Sequence, residues 1–437
     1  MPKLKVAWIC HFSNKEVRER LPLSKMIVKN AIKSFLGKQI ITGYSDFAPW
    51  VINLIKEFEK MDDIELHVIS PFLGLTCFTY EFEMNKVHYH FFQPALPCIH
   101  IPYDNFKVLG TDRFFMNRWY VKKFINKIKP DIVNLIGTEN PYYSITVLDV
   151  KNIPVYVSAQ TVYANPDRGK YDDEYLQLNW DTELKIYKKE KYYGCAGRMY
   201  RDLILQNNPS AIIFKMFFPI EKPQHVKAVP KIFNFVFFAA GITKKKGIED
   251  AIEALAIVKK HKNNVSMNVV GGCDDSYRSY LLKKIHELNL EKNIVFNDYF
   301  PLHSDMHQHI VQSHFALLPV KLDVIPGSVI EAILLDLPVI TYKTTGTPYL
   351  NRNGEAVLLA DIGDVEVLAQ NMLKMINEPD RAKKMKENAK AFVEKEFDNT
   401  TSAKRFVSNY RAVIEHYHNN VPVPEDLLFS IKEFPLY

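Results

Sequence analysis

Two carboxylates flank a loop of small residues in the stretch DVIPGSVIEAILLDLPVI. Asp323 precedes the loop, and Glu331 follows it where an apolar helical pattern begins. Backbone N–H groups in the first turn of a helix have no partner within the helix and can bind a phosphate group. We therefore expect the N–H groups of Gly327, Ser328 and Val329 to form an anion site.

The two carboxylates suggest what else such a site would hold. Glu331 lies too close to a bound phosphate to face it, so it is better suited to accept hydrogen bonds from ribose hydroxyls. Asp323 lies outside the helix and could accept hydrogen bonds from sugar hydroxyls. From this stretch alone, two acids that only complement the helix dipole are an equally good interpretation.

A second loop, AAGITKKKG, also combines glycine with positive charge. A strand ends near Gly241, and three lysines, the last of them Lys246, come before the next helix. A diphosphate here would meet both lysine charge and helix N–H groups. A solvated lysine cluster is the competing interpretation. Gly272, after the next strand, would let a ligand approach the backbone, although a glycine pair is more often only a turn.

Composition favours a globular enzyme or binding protein over a nucleic-acid binder. The 437 residues allow two or three domains, and the formal charge of +6 is dispersed along the chain. The five cysteines show no paired spacing, which argues against a disulfide framework. The start of the chain lacks a signal-peptide pattern, and no apolar run approaches the length of a spanning helix. We expect a cytoplasmic protein, with peripheral contact at the inner face of a membrane as an option.

No metal site is expected from the sequence. The pair Asp274 and Asp275 starts a helix and is typical of a cap rather than of a metal motif. Four histidines lie close together in the sequence, but their spacing does not place all of them on one face of a helix. They are His303, His307, His309 and His314.

Strands alternate with helices in two successive series, which predicts an α/β protein with two doubly wound, Rossmann-like sheets. We assign an N-terminal domain to residues 1–222 and a C-terminal domain, including the last helices, to residues 232–437. The proline-containing segment KPQHVKAVPK, residues about 222–231, would link them. Ligands of such sheets bind beyond the carboxyl ends of the strands, so we expect a cleft between the domains.

The segment that opens with Asp323 resembles the signature of family 4 glycosyltransferases, the retaining enzymes with a GT-B fold. Glu331 falls on the second glutamate of that signature, and Asp323 replaces the first. GITKKKG is similar to the phosphate-binding loop of the family, with Lys246 on its lysine. Gly241 stands where the family usually has arginine, and Lys244 or Lys245 could supply the missing charge. The resemblance is good from residue 231 to about residue 417 and covers the N-terminal half only in outline.

The resemblance implies a hexosyl-type transferase that moves a sugar from a nucleotide diphosphate sugar, with UDP as the expected nucleotide, and retains the anomeric configuration. The acceptor would be a glycan or a lipid-linked glycan of a bacterial surface polysaccharide, and neither a metal nor another cofactor is implied. Lys246 and the helix start at Gly327 would stabilise the charge that develops on the departing diphosphate. We assign catalytic roles to Lys246, Asp323, Glu331 and Gln160, and Gln160 stands where the family often has histidine. The donor-binding assignments are Gly43, Gly241, Lys245, Gly272, Gly327, Ser328 and Val329.

Four N-domain residues complete the expected site. His11 and Gly43 lie at the first strand-to-helix turn, where Gly43 would let the chain pass close to the donor phosphate. Glu139 and Gln160 follow later strands and are acceptor-side candidates. Because Gly241 and Gln160 depart from the family pattern, a non-catalytic nucleotide-sugar-binding scaffold stays an open alternative. An epimerase is disfavoured because no array of catalytic acids is evident, and a nucleic-acid binder is more distant still.

Overall fold

A computed structural model describes residues 3–23, 46–95, 114–160, 163, 174–220, 222–223, 226–298, 300 and 302–434. The chain divides into two compact units. Unit 1 comprises Met1–Cys195, Met199–Pro219 and Asn399–Phe429. Unit 2 comprises Ala196–Arg198, Ile220–Asp398 and Ser430–Tyr437.

Unit 1 is built on an eight-stranded sheet with the order β3-β4-β2-β1-β5-β6-β7-β8. Only the β3–β4 pair is antiparallel among the described pairings. The strands are β1 Leu4–Ile9, β2 Ile64–Pro71, β3 Thr79–Met84, β4 Val87–Phe92, β5 Ile132–Ile136, β6 Val155–Ser158, β7 Tyr192–Cys195 and β8 Ile212–Lys215. The central strands β1 and β5 are apolar except for Lys5 and Asn134, as is typical of parallel strands that are buried on both faces of a sheet.

The helices of unit 1 follow the strands in the alternation that a parallel sheet requires. They are α1 Lys15–Arg18, α2 Pro49–Phe58, α3 Phe115–Ile128, α4 Pro141–Ser144, α5 Glu174–Lys189 and α6 Arg198–Asn207, the last of which begins in unit 2. A short 3₁₀ helix, Ile145–Asp149, follows α4.

Unit 2 contains a six-stranded, all-parallel sheet with the order β11-β10-β9-β12-β13-β14. Its strands are β9 Phe233–Ile242, β10 Met267–Cys273, β11 Ile294–Asn297, β12 Ser313–Leu318, β13 Val339–Tyr342 and β14 Val357–Ala360. Its helices are α7 Ile248–Lys259, α8 Asp275–Glu287, α9 His303–Ile310, α10 Gly327–Leu334, α11 Val365–Asn377 and α12 Pro379–Glu396. The two sheets confirm the prediction of two Rossmann-like α/β domains.

The final long helix, α13 (Asn399–Asn419), belongs to unit 1. Its buried residues Phe406 and Tyr410 join the same apolar cluster as Trp8, and Asn134 Nδ2 donates a 2.6 Å hydrogen bond to Tyr410 Oη. The C-terminal domain expected from the sequence, residues 232–437, included this helix, and its contacts with the unit 1 core correct that placement. The apolar period of a helix reveals which face is buried but not which core receives it.

Candidate functional site

The start of α10 has the character of an anion site. Pro326 precedes the first turn, and no side chain caps it among the described residues. A side-chain carbon at Gly327 would meet no atom within 4 Å, so space for a ligand exists beside the backbone. Val329 N donates to Pro326 O at 3.0 Å, so its N–H is used within the first turn. Of the three N–H groups expected to bind an anion, those of Gly327 and Ser328 make no hydrogen bond with the described residues.

The lysine loop lies between β9 and α7 and is held at both of its ends. Lys244–Lys246 form a 3₁₀ turn, and Gly247 enters α7 with φ of 79°. The oxygen Lys245 O accepts a hydrogen bond from Lys321 N at 2.9 Å. The backbone after β12, which leads to Asp323, therefore fixes the position of the lysine loop.

This arrangement brings together two of the predicted residues. Lys246 Nζ lies 3.7 Å from Asp323 Oδ2, and each side chain is 36% exposed. The other carboxylate oxygen, Asp323 Oδ1, accepts a hydrogen bond from Val324 N at 2.9 Å. The Val324 carbonyl in turn accepts hydrogen bonds from Gly346 N and from the Thr344 hydroxyl. An ammonium group, a carboxylate and a rigid loop are thus present together at the carboxyl end of the unit 2 sheet.

The side chain of Glu331 is only 12% exposed and is held by two histidines that the sequence did not indicate as its partners. His303 Nε2 and His307 Nε2 lie 2.8 Å and 2.6 Å from Glu331 Oε1. Burial alone would raise the pKa of Glu331, but the hydrogen bonds from His303 and His307 outweigh it and hold the pKa below its usual value. Glu331 is therefore a carboxylate at neutral pH and accepts hydrogen bonds without donating any.

The four clustered histidines separate as their spacing predicts. His303 and His307, four residues apart on α9, share one face, whereas His309 packs against Phe300. The ligand atoms of His303, His307 and Glu331 lie within 4.8 Å of one another, so this group could hold a metal ion. The i,i+4 spacing in HSDMH was a usable signal for the histidine pair, but nothing in the sequence pointed to its carboxylate partner.

The glycines after β9 and β10 lie side by side. Gly272 pairs with Gly241 in the parallel register, and a side-chain carbon at Gly241 would meet no atom within 4 Å. Gly271, rather than the predicted Gly272, is the position that requires glycine: its φ is 138°, and a side-chain carbon there would lie 1.9 Å from Ala239 O. The predicted capping role of Asp274 is confirmed, since its carboxylate accepts hydrogen bonds from Ser276 N and Tyr277 N.

The predicted residues of unit 1 follow the carboxyl ends of its strands. His11 follows β1, where its ring meets Phe47 at 4.5 Å, and burial lowers its pKa to about 4. Glu139 follows β5, with its Oε1 3.5 Å from Tyr143 Oη. Gln160 lies two residues after β6 and is half-buried. Gly43 lies outside the described residues.

Comparison with known proteins defines the class of fold. Residues 220–392 match a family model described as glycosyl transferases group 1. Sucrose-phosphate synthase from Thermosynechococcus elongatus superimposes with a TM-score of 0.66 at 14% identity, covering 94% of this chain and 98% of that one. HepE from Anabaena, solved with UDP and glucose, gives a TM-score of 0.62 at 14% identity, covering 93% and 99%. The chain has the GT-B fold of glycosyltransferases.

Two curated proteins are similar in sequence. The capsular polysaccharide biosynthesis glycosyltransferase CapM of Staphylococcus aureus is 26% identical over 189 residues, which are 42% of this chain and 47% of CapM. The amylovoran biosynthesis glycosyltransferase AmsK of Erwinia amylovora is 26% identical over 283 residues, 62% of this chain and 63% of AmsK. The matches thus span about half to two thirds of these relatives. No helix within the described residues is long and apolar enough to cross a membrane.

Proposed function

We propose that this protein is a retaining glycosyltransferase that moves a hexosyl group from a nucleotide diphosphate sugar, with UDP as the nucleotide, to a glycan or lipid-linked acceptor. The observation that carries the proposal is the Lys246–Asp323 pair together with the uncapped start of α10. Both lie within the segment that matches the glycosyl transferase family model. The polysaccharide context comes from CapM and AmsK, and the nucleotide from HepE with UDP and glucose.

The donor chemistry requires charge stabilisation more than a strong base. When the bond between the anomeric carbon and the diphosphate oxygen breaks, negative charge accumulates on the departing diphosphate. The Lys246 ammonium and the N–H groups of Gly327 and Ser328 would stabilise that charge. Asp323 would hold Lys246 in place until the donor arrives and then accept hydrogen bonds from the sugar.

Glu331 would recognise the nucleoside. Because its carboxylate is ionised, it can accept hydrogen bonds from two adjacent ribose hydroxyls. Both histidines contact Oε1, so Oε2 is the oxygen that a ribose hydroxyl would approach. His303 and His307 would act as positioning residues by fixing the orientation of the carboxylate.

The acceptor assignments belong to unit 1. Gln160 and Glu139 follow strands at the carboxyl edge of its sheet. We keep the prediction that Gly43 lets the chain pass close to the donor phosphate. We also propose that the protein works in the cytoplasm, in peripheral contact with the membrane that carries a lipid-linked acceptor. The donor-side reaction as proposed requires no metal or other cofactor.

Isothermal titration of UDP in the presence of EDTA tests the donor assignment. Lys246→Ala and Glu331→Ala should each weaken UDP binding by at least about tenfold, as expected for losing one hydrogen bond to a charged group. Asp274→Ala is the matched control, because this carboxylate only caps α8 and should leave the affinity unchanged. Wild-type affinity in both Lys246→Ala and Glu331→Ala would show the site assignment to be wrong.

A non-catalytic nucleotide-sugar binder is the second candidate function. The observation in its favour is Gly241, where an open, uncharged position replaces the arginine that the family resemblance leads one to expect. A binder would be stabilised by the donor against thermal unfolding without releasing nucleotide. UDP release from UDP-sugars, measured in a coupled assay with and without acceptor glycans, separates the two functions.

A further inference from the structure

A stripe of ionisable side chains crosses the sheet of unit 1 near the amino ends of its strands. Glu65 and His67 lie two apart in β2, and His88 and His90 lie two apart in β4, so each pair shares one face of the sheet. The register places His67 opposite His88 and Glu81 of β3 opposite His90. These residues lie at the opposite end of the strands from His11, Glu139 and Gln160, and the proposed sugar transfer makes no use of them.

Three contacts join four of these side chains in a line. Glu81 Oε2 lies 2.7 Å from His90 Nδ1, His90 Nε2 lies 3.0 Å from His67 Nδ1, and His67 Nε2 lies 2.9 Å from Glu65 Oε1. Each contact needs one hydrogen between its two heavy atoms. Two neutral imidazoles carry only one N–H each, so they supply two of the three hydrogens, and the third contact needs a further proton or a metal ion.

The contact that the two neutral histidines cannot supply with a hydrogen is the one between His67 and Glu65. Lys127 Nζ lies 2.8 Å from Glu81, which keeps that carboxylate ionised and makes it the acceptor for His90 Nδ1–H. His67 must then donate its Nδ1–H to His90 Nε2. The remaining lone pair of His67 Nε2 faces a carboxylate oxygen across 2.9 Å.

We propose that Glu65, His67 and His88 bind a divalent transition-metal ion of the Zn²⁺ type at this position. Their ligand atoms lie within 4.8 Å of one another. Half-exposed His88 would complete the site by turning its ring, which now stacks on His67 at 4.6 Å. Two imidazoles and one carboxylate are a ligand set that Zn²⁺ accepts, with water in the fourth position.

The residues around the three proposed ligands are arranged like those that support the ligands of known metal sites. A ligating histidine usually donates its second ring N–H to another group, which fixes its tautomer. His67 has such an acceptor in His90, and His90 has one in Glu81. A cavity of about 350 Å³ adjoins the stripe. Lys5 Nζ, 3.1 Å from Glu65 Oε1, is the cation that the metal would displace.

Zinc titration of the untagged, EDTA-treated protein tests the proposal. Zn²⁺ binding is measured by competition with a chromophoric chelator, and the absorption of bound Co²⁺ is a second readout. Every variant carries His303→Gln, which removes a ligand from the group His303, His307 and Glu331, so that zinc binding there does not obscure the result. We expect one Zn²⁺ per chain. His90→Gln should weaken binding by at least about tenfold, the size typical of losing a group that supports a ligand, and His88→Gln, which removes a ligand itself, should weaken it by at least as much. Lys5→Gln should tighten binding by removing the competing ammonium.

The matched control is His286→Gln, which alters an exposed histidine–glutamate contact of 2.6 Å outside the stripe and should leave zinc affinity unchanged. Equal affinity in His88→Gln and His286→Gln would overturn the proposal, and so would the absence of stoichiometric binding at micromolar Zn²⁺. His88 is half-exposed, so its replacement keeps the test decisive even if the His90 variant fails to fold.

Discussion

Gly247, between the lysine loop and α7, provides the sharpest test of the unit 2 structure. Its φ of 79° is in the left-handed region, where a side chain costs about 1–2 kcal/mol. A side-chain carbon there would also lie 1.9 Å from Pro319 O, so the Pro319 carbonyl must move by about an ångström. Forcing extra atoms into a packed core typically costs ~1–3 kcal/mol, and we expect the same for this movement. Together with the backbone strain, Gly247→Ala should lower the free energy of unfolding by about 4 kcal/mol.

Two other glycines separate the components of this effect. Gly363 has φ of 86°, and a side-chain carbon there would meet no atom within 4 Å, so Gly363→Ala should cost only the backbone strain of about 1–2 kcal/mol. Gly241 has neither the left-handed φ nor a neighbour within 4 Å. Gly241→Ala should therefore change the unfolding free energy by less than about 0.5 kcal/mol.

Urea unfolding followed by far-ultraviolet circular dichroism is the appropriate assay. Tryptophan fluorescence would report on unit 1 alone, because all four tryptophans lie there: Trp8, Trp50, Trp119 and Trp180. Equal losses in Gly247→Ala and Gly363→Ala would show that the contact with Pro319 relaxes without cost and would refute the reasoning. Since Gly247 follows Lys246 directly, Gly247→Ala should also weaken UDP binding.

Three further predictions concern buried polar groups. The folded-state pKa of His11 is about 4, below its ordinary 6.5, so its contribution to stability is present above pH 6.5 and lost as pH falls. Between pH 7 and pH 5 the unfolding free energy of the wild type should therefore drop by about 2 kcal/mol more than that of His11→Phe. Urea titration at each pH measures this difference. Tyr410→Phe removes the buried acceptor of Asn134 Nδ2 and should lower stability by about 1–2 kcal/mol in the same assay, and an unchanged midpoint would contradict this. His307→Leu removes a donor from the Glu331 carboxylate and should cost about 1–3 kcal/mol at pH 7, with a smaller loss at acid pH where Glu331 is protonated.

Much of the architecture follows from local patterns in the sequence. Continuous apolar runs and 3.6-residue periods mark the strands and helices of unit 2, and the small-residue loop before Glu331 marks the start of α10. The placement of Lys246 near Asp323 follows from the rule that loops at the carboxyl ends of neighbouring parallel strands meet. Strands β9 and β12 are such neighbours.

The features that the sequence did not reveal depend on contacts between distant segments. The stretch from residue 163 to about residue 191 lacks a clear apolar period, yet α5 forms in it and buries the charged side chain of Glu183. The carboxylate partner of His303 and His307 lies on another helix, so periodicity within α9 could not identify it. The hydrogen bond from Val329 to Pro326 is a detail of the first turn that residue types do not determine.

The return of α13 to unit 1 has a consequence for how the protein is made. Unit 1 combines residues that precede and residues that follow the segment 220–398, so the whole of that segment is synthesised between them. A ribosome therefore releases the first eight strands long before the helix that supplies Phe406 and Tyr410 to their core. The six-stranded sheet of unit 2 is synthesised before α13, and only Ser430–Tyr437 of unit 2 follow that helix. Unit 2 can therefore form most of its fold while unit 1 still exposes the apolar surface that α13 covers. A nascent chain arrested before residue 399 should accordingly recruit chaperones to its N-terminal part.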